Sequence, residues 1–470
     1  MGRIIGLLVA CAGVGLLAPA ARAQRAEEFF QRSLFFEKET RDRLEAAMPA
    51  EQKTLIEWGG FYIPSYMYFT DLQGENGHMT LQDLRLWTQV RFDDVHRVYA
   101  RMRLDYMDFA ASDAPPTLRS HDLIGPNLEM GFYEIDVSRA VEKYGGGGRW
   151  PVRVTARGGR QYIEVGRGIA LAKILDAGLF LVESKDFAFK GFAGRTEPGE
   201  DNIDLLAPNF SNSRRNFYGG EFRYRGIDRH EPYAFFVIQR DWSDEKPDNP
   251  FQDFRYDSQY YGIGSRGALA KDLQYQVESL WEFGRSHASL QEGGTEPIRA
   301  YAFDAELDYY VPKQAAKPVL SLEYAYASGD QNRASATSAL GGNRLGTPDR
   351  LFQGFGFVNS GLALASRFSN LQFVRMGGRV TPYENKARLG RLDVGVDYYC
   401  QFKASAEGAI SDTRANRGSA SIGQEVDVFL EWRILSDLAI SIRYARFFPG
   451  RAYSHRDPRD FLYTALNFSF

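Results

Sequence analysis

The last residues of the chain alternate strictly between two kinds of side chain. Mostly apolar residues occupy every second position, namely Leu462, Thr464, Leu466, Phe468 and Phe470. Small, polar or tyrosine side chains lie between them, at Tyr463, Ala465, Asn467 and Ser469. A period of two residues is typical of a β-strand with two different faces. Lipid outside and water inside would produce this contrast.

The same alternation recurs with charged residues on one face. It is clear in residues 83–92, 97–106, 301–309 and 425–433, where Arg, Asp or Glu stands at many of the alternate positions. Such charges are tolerable in a membrane only if that face is wet. The pattern therefore predicts an all-β fold, a transmembrane antiparallel β-barrel with an aqueous interior.

Composition agrees with a membrane barrel. Aromatic residues reach 14% of the chain, with 26 Tyr and 34 Phe. Beyond the N-terminal leader, no apolar stretch approaches the ~20 residues of a membrane helix. A membrane protein without such helices must satisfy its backbone in a closed barrel. We therefore expect the chain to reside in the outer membrane of a Gram-negative bacterium.

The N-terminus has the features of an export signal. Arg3 precedes an apolar run over residues 4–17, and Ala21-Arg22-Ala23 provides small residues for cleavage before Gln24. A lipid-modified Cys11 is the alternative, because Leu8-Val9-Ala10-Cys11 resembles a lipobox. We predict a signal peptide over 1–23, a short periplasmic helical extension over 24–56, and the barrel over 57–470.

Connections of alternating length give the orientation and the number of strands. Short turns are expected in the periplasm and long loops outside the cell. Strands counted from the N-terminus and strands counted back from the C-terminus do not alternate in direction where the two counts meet. One strand that runs toward the periplasm is missing there, and the segment Ala177–Glu183 (AGLFLVE) supplies it. The count is then about 18 strands, an even number as such barrels require.

Charged residues on the predicted inward faces are the candidates for pore-lining positions. They are Arg85, Arg91, Arg101, Arg103, Arg153, Arg157, Arg160, Arg223, Glu425 and Asp427. The early strands are rich in inward arginines and the later strands in inward acids, which predicts a basic wall facing an acidic wall. Since arginine binds carboxylates with two parallel hydrogen bonds, the basic wall would favour anionic saccharides or small anions. The alternative is that these arginines pair with lumen acids and stiffen the barrel.

Enzymatic chemistry finds little support in the sequence. The six histidines are scattered without metal-ligand spacing, and no serine stands in a G-x-S-x-G motif. The glycine run 145–148 lacks the Lys-Ser/Thr of a phosphate loop. We expect no catalytic residues, no metal, no cofactor and no nucleic-acid partner.

Several short motifs resemble those of the bacterial alginate export porins. They are Gly159-Arg160-Gln161, Gly166-Arg167-Gly168 and Ile174-Leu175-Asp176-Ala177, followed near the end by residues 422–427 and 444–450. The resemblance implies a monomeric barrel with an arginine-rich pore that secretes an acidic polysaccharide. Around residues 170–176, the chain lacks the Trp and the Arg-Phe-Asp triplet usual in that family. A general small-solute anion porin, and a hydrolase or surface-binding barrel with a closed lumen, therefore stay open.

Partners follow from the expected location. Lipid and lipopolysaccharide would surround the barrel. The terminal aromatic residues Phe468 and Phe470 resemble the signal that the barrel assembly machinery reads.

Overall fold

Antiparallel strands form one closed sheet in the computed structural model, which describes residues 55–70, 76–111, 120–146, 148, 150–197, 214–242, 255–287, 294–333, 342–385 and 390–470. Within these ranges the sheet has 18 strands, each paired with its neighbours in chain order. The strands are β1 (Leu55–Thr70), β2 (Asn76–Phe92), β3 (His96–Ala111), β4 (Ser120–Asp136), β5 (Arg153–Val165), β6 (Leu171–Glu183), β7 (Phe187–Arg195), β8 (Arg215–Tyr224), β9 (His230–Asp241), β10 (Asp257–Ala270), β11 (Leu273–His287), β12 (Thr295–Tyr310), β13 (Val319–Ala327), β14 (Leu371–Asn385), β15 (Gly390–Lys403), β16 (Ser421–Arg433), β17 (Leu438–Pro449) and β18 (Arg459–Ser469). The predicted fold and strand number are confirmed.

The first and last strands close the barrel. β1 and β18 pair in register from Phe61 opposite Ser469 to Phe69 opposite Phe461. The terminal Phe470 continues this ladder, because its N–H donates to the Gly60 carbonyl at 2.9 Å and its own carbonyl accepts from Gly60 at 2.8 Å. Closure leaves no unpaired edge in the hydrocarbon.

Side-chain exposure follows the predicted alternation. On β18, Phe461 and Tyr463 are buried, whereas Leu466, Phe468 and Phe470 are exposed, with 62% of Phe470 accessible. On β2, Asp83, Arg85 and Gln89 are buried and Leu86 and Phe92 are exposed. The apolar residues therefore face lipid and the charged residues face the lumen, as the period of two requires.

One short helix interrupts the strand pattern on the periplasmic side. α1 (Val137–Tyr144) follows β4 directly, and the Asp136 side chain caps it by accepting from the Arg139 N–H at 3.0 Å. This helix is not among the elements predicted from the sequence, although an Asp before a helix is a common N-cap. The strand β6 begins at Leu171, six residues before the predicted start at Ala177.

The predicted N-terminal segments lie mainly outside the described residues. The signal peptide, Cys11 and the periplasmic extension as far as residue 54 belong to this part, and residues 55 and 56 are part of β1. In the ranges that are described, no helix is long and apolar enough to cross a membrane.

Deletion of Phe470 should prevent assembly of the barrel while export to the periplasm continues. The deletion removes both backbone hydrogen bonds to Gly60 and a lipid-facing ring on the closing strand. The measurement is the abundance of the heat-modifiable folded band in outer-membrane fractions. Deletion variants that still give this band at the normal level would contradict an assembly role for Phe470.

Candidate conduction site in the barrel lumen

The hairpin of β5 and β6 extends beyond the strands beside it. β4 pairs with β5 only as far as Arg160, and β7 pairs with β6 only from Asp176 onward. Residues 161–175, here called the inserted hairpin, pair with each other and with neither neighbouring strand of the barrel wall. Their backbone nevertheless reaches the opposite walls: the Gly166 N–H donates to Glu221 on β8, and the Arg167 N–H donates to Glu278 on β11, both at 2.7 Å. The hairpin tip therefore lies inside the barrel.

The turn of the inserted hairpin requires glycine. Gly166 and Gly168 have φ angles of 61° and 80°, in a region that side chains disfavour. A Cβ on Gly166 would also stand 2.1 Å from the Glu278 carboxylate. The two glycines thus let the backbone approach the wall and leave Arg167 at the tip.

Part of the connection between β13 and β14 also folds into the lumen. Residues 351–370, here called the inserted loop, bury Phe352, Phe355, Leu364 and Phe368. The loop pairs with the inserted hairpin, because the Phe355 N–H donates to the Ala170 carbonyl at 3.0 Å and the Phe355 carbonyl accepts from Ala172 at 3.2 Å. The two insertions form one joined constriction.

Inward carboxylates hold the inserted loop against the wall. Glu425 accepts from the N–H groups of Ala363 and Leu364 at 2.5 and 2.9 Å. Asp427 accepts from the Leu362 N–H at 3.2 Å. Glu282 on β11 similarly accepts from the Gln353 N–H at 2.9 Å. These hydrogen bonds satisfy buried backbone N–H groups of the loop and hold it against the wall.

A cavity of about 660 Å³ remains between the insertions and the wall. Its volume lies within the range of small-molecule sites, about 300–1,000 Å³. Cationic and anionic side chains both line it, the cations being Arg167, Lys190, Arg223, Arg266 and Arg375 and the acids being Glu164, Asp304, Glu306 and Glu323. A solute in this space would meet several fixed charges of each sign.

Two arginines share a carboxylate at this cavity. Arg167 contacts Glu306 at 2.8 Å and Asp304 at 3.4 Å. Arg375 contacts the same Glu306 at 2.6 Å and Glu323 at 2.5 Å. Because each guanidinium has five N–H donors, an anionic ligand could bind alongside these partners.

A second cavity of about 570 Å³ opens near the periplasmic turns of β8–β9 and β10–β11. Arg225, Arg229 and Arg266 line it, together with Glu231. It shares Arg266 with the central cavity. The two cavities therefore lie next to each other, the second nearer the periplasmic turns.

Most of the predicted pore-lining arginines face inward but are ion-paired. Arg85 contacts Glu129 at 2.7 Å and Asp83 at 2.8 Å, and Arg101 contacts Glu129 at 2.5 Å. Arg103 contacts Asp105 at 2.8 Å. These contacts match the alternative that lumen arginines pair with lumen acids, supplied here by β2, β3 and β4, and a basic wall lining the pore stays a prediction.

Apart from Arg160, the other predicted arginines lie either near the periplasmic ends of β2 and β5 or at the central cavity. Arg91 stands opposite Arg97 on the periplasmic side of β2 and β3. Arg153 contacts Asp136 at 2.9 Å, and Arg157 contacts Glu134 at 2.5 Å. Of the whole predicted set, only Arg223 lines the central cavity.

Arg160 does not extend the inward row of Arg153 and Arg157, as had been expected. It stands opposite Asp176 in the ladder, on the same face as the exposed Phe180. Its guanidinium contacts Asp176 at 2.8 Å and Glu197 at 2.5 Å. The three-residue step from Arg157 to Arg160 reverses the face because strands alternate every two residues.

Glu425 and Asp427 face inward as predicted but do not line open space. Their exposed fractions are 0% and 3%. The inserted loop covers both of them, and their carboxylates bind its backbone. Neither residue lines the central cavity, and a pore-lining role for them stays a prediction.

Two of the cavity residues that were not predicted have sequence features that could have indicated an inward position. Arg167 appeared only within the motif Gly166-Arg167-Gly168. Arg375 alternates with outward Val374 and Met376 on β14, so the period of two could have placed it inward. Nothing local to Lys190 or Arg266 identifies the cavity. In the described ranges, no group of three or more His, Cys, Asp or Glu is placed to hold a metal ion.

A closed barrel with a lipid-facing exterior and a charged, constricted lumen defines an outer-membrane channel of the porin class. The sequence matches the alginate export family over residues 69–466, and the chain belongs to this family. Family membership indicates a transport channel rather than an enzyme, and it places the protein in the outer membrane. No curated protein matches the chain.

Solved structures from Pseudomonas aeruginosa share the fold. OccK5 (OpdH) is 11% identical with a TM-score of 0.53, and the match covers 88% of this chain and 98% of that chain. OccK8 (OprE) is 10% identical with a TM-score of 0.55, with coverage of 89% and 99%. At these identities the likeness concerns the fold alone.

Replacing Glu425 with alanine should raise the single-channel conductance. The substitution removes two hydrogen bonds to a charged group, each worth about 1.5–3 kcal/mol, and so loosens the inserted loop. Planar-bilayer recording measures the change. Gln424→Ala is the matched control, because this residue is exposed on the opposite face of the same strand. Equal conductance in the folded Glu425→Ala variant and the wild type would show that Glu425 does not hold the constriction.

Proposed function

We propose that this channel passes anionic saccharides, and that the cavity beside the inserted hairpin is its selective site. The observation that carries the proposal is the position of Arg167. It lies at the tip of a hairpin inside the lumen, and it lines the cavity together with Arg375. An acidic sugar that enters this space could exchange hydrogen bonds with the guanidiniums of both residues.

The paired acids support passage rather than tight binding. Glu306 accepts from both arginines, so a carboxylate ligand would compete with a group already present. Such competition lowers the affinity at any one site, and conduction requires that a solute leave as readily as it enters. The basic second cavity at the periplasmic turns would attract anions toward the constriction.

Family membership favours an acidic polysaccharide as the exported solute. The insertions favour a second candidate, a channel for small anions or short saccharides, because they occupy much of the lumen around the cavity. Uptake of polyuronate into proteoliposomes, compared with uptake of mono- and disaccharide acids, would distinguish the two forms. A purified barrel without any conductance in planar bilayers would instead favour a closed, surface-binding protein.

Arg167→Gln should shift the ion preference of the channel toward cations. The substitution removes one fixed positive charge and leaves Asp304 and Glu306 less neutralised beside the path. We expect the anion-to-cation permeability ratio to fall by roughly threefold or more, from the change in local field. Reversal potentials under a salt gradient give this ratio.

Arg285→Gln is the matched control for this substitution. It removes the same charge from the exposed outer face of β11, so the reversal potential should not change. A wild-type channel without ion preference, or an unchanged ratio in folded Arg167→Gln, would contradict the proposed role of Arg167.

A further inference from the structure

The outer face of the barrel carries a group of arginines that conduction does not use. Arg195, Arg240, Arg285 and Arg299, here called the arginine belt, lie on β7, β9, β11 and β12. Each alternates with inward residues, as Arg299 does with the buried Ile298 and Ala300. Each also lies near the end of its strand that leads to the long connections. The belt therefore faces outward at the extracellular rim.

Each arginine of the belt ends a column of apolar side chains on the lipid face. Ile238 and Phe236 precede Arg240 on this face, and Phe283 and Trp281 precede Arg285. Charged residues on the lipid face cost several kcal/mol at the bilayer midplane and almost nothing near the interfaces. The positions therefore place the guanidiniums beside the headgroups of the outer leaflet.

An aromatic row marks the membrane interface just below the belt. Phe236, Tyr261, Trp281 and Tyr301 stand opposite one another across four successive strands. The rings of Trp281 and Tyr301 lie 5.8 Å apart. Such aromatic girdles are found at the boundary between hydrocarbon and headgroups. Arg240 and Arg285 each lie four residues further along their strands, about 13 Å at ~3.3 Å per residue.

Two described acids stand in the same outward row as the belt, Asp176 opposite Arg195 and Asp257 opposite Arg285, and their carboxylates contact other arginines. None of the four belt arginines forms an ion pair in the described part of the chain, and the neighbouring Asp257 contacts Arg255 at 2.9 Å. Two arginines elsewhere on the outer face are paired, since Arg446 contacts Asp460 at 3.5 Å and Arg160 contacts Asp176. Among the described residues, the arginines of the belt therefore outnumber the acids that stand beside them.

We propose that the arginine belt binds the phosphate groups of lipopolysaccharide in the outer leaflet. The planar guanidinium matches phosphate oxygens with two parallel hydrogen bonds. Exposed aromatic side chains such as Phe236 and Trp281 lie where the acyl chains of the same lipid would contact the wall. The inference rests on the outer-membrane location of the barrel and is independent of the solute that it conducts.

The test compares binding of two lipids to the purified barrel in a non-ionic detergent. The probes are bis-phosphorylated lipid A and the same lipid after removal of its phosphates, and native mass spectrometry gives the bound fractions. Wild-type protein should bind the phosphorylated lipid preferentially. Arg240→Gln combined with Arg285→Gln should weaken this binding by about fivefold per arginine, the usual effect of one basic residue at an anionic membrane surface.

Arg433→Gln combined with Arg451→Gln is the control, because both residues are exposed and neither belongs to the belt. This variant should bind lipid A as the wild type does, and the heat-modifiable band verifies folding of all variants. Equal binding of the phosphorylated and dephosphorylated lipids, or an equal loss in the control variant, would overturn the proposal. A preference for phosphatidylglycerol over lipid A would overturn it as well.

Discussion

Backbone hydrogen bonding determines the outer form of this protein, because hydrocarbon offers no partner to an unpaired N–H or C=O group. Every strand therefore needs two neighbours, and the last strand must return to the first. The pairing of β1 with β18 satisfies this requirement, and it extends to the terminal residue through Gly60 and Phe470. Once the ring is closed, the period of two assigns each side chain to lipid or to the lumen.

Closure of 18 strands creates a lumen that inward side chains alone do not fill. The inserted hairpin and the inserted loop occupy part of it, and their backbones meet the same requirement for hydrogen-bond partners. Inward carboxylates supply those partners: Glu278 binds the hairpin, and Glu282 and Glu425 bind the loop. The acids of the later strands thus serve first to position the constriction, and only some of them reach the cavity.

Local sequence patterns predicted the wall well and the constriction poorly. Strand faces follow from alternation within about ten residues, so Arg85, Arg101 and Phe470 were placed on the correct side. The inserted hairpin reverses the alternation of the wall, because the apolar residues Ile163 and Val165 occupy inward positions and Glu164 occupies an outward one. This reversal is a local signal that the segment leaves the wall, but it does not indicate which residues the hairpin meets. Arg167 reaches Glu306, which is 139 positions away along the chain. A contact of this kind depends on the closed barrel and cannot be inferred from neighbouring residues.

Arginine has three different environments in this barrel, and the partners rather than the residue type decide its effect. Arg101 is buried against Glu129, so its charge is compensated and contributes little field to the lumen. Arg167 shares Glu306 with Arg375 beside a cavity, where an entering anion can compete for both guanidiniums. Arg240 faces outward on β9 and forms no ion pair with the described residues. Counting inward arginines therefore overstates the positive charge that a solute meets, because selectivity depends on the charge left after pairing.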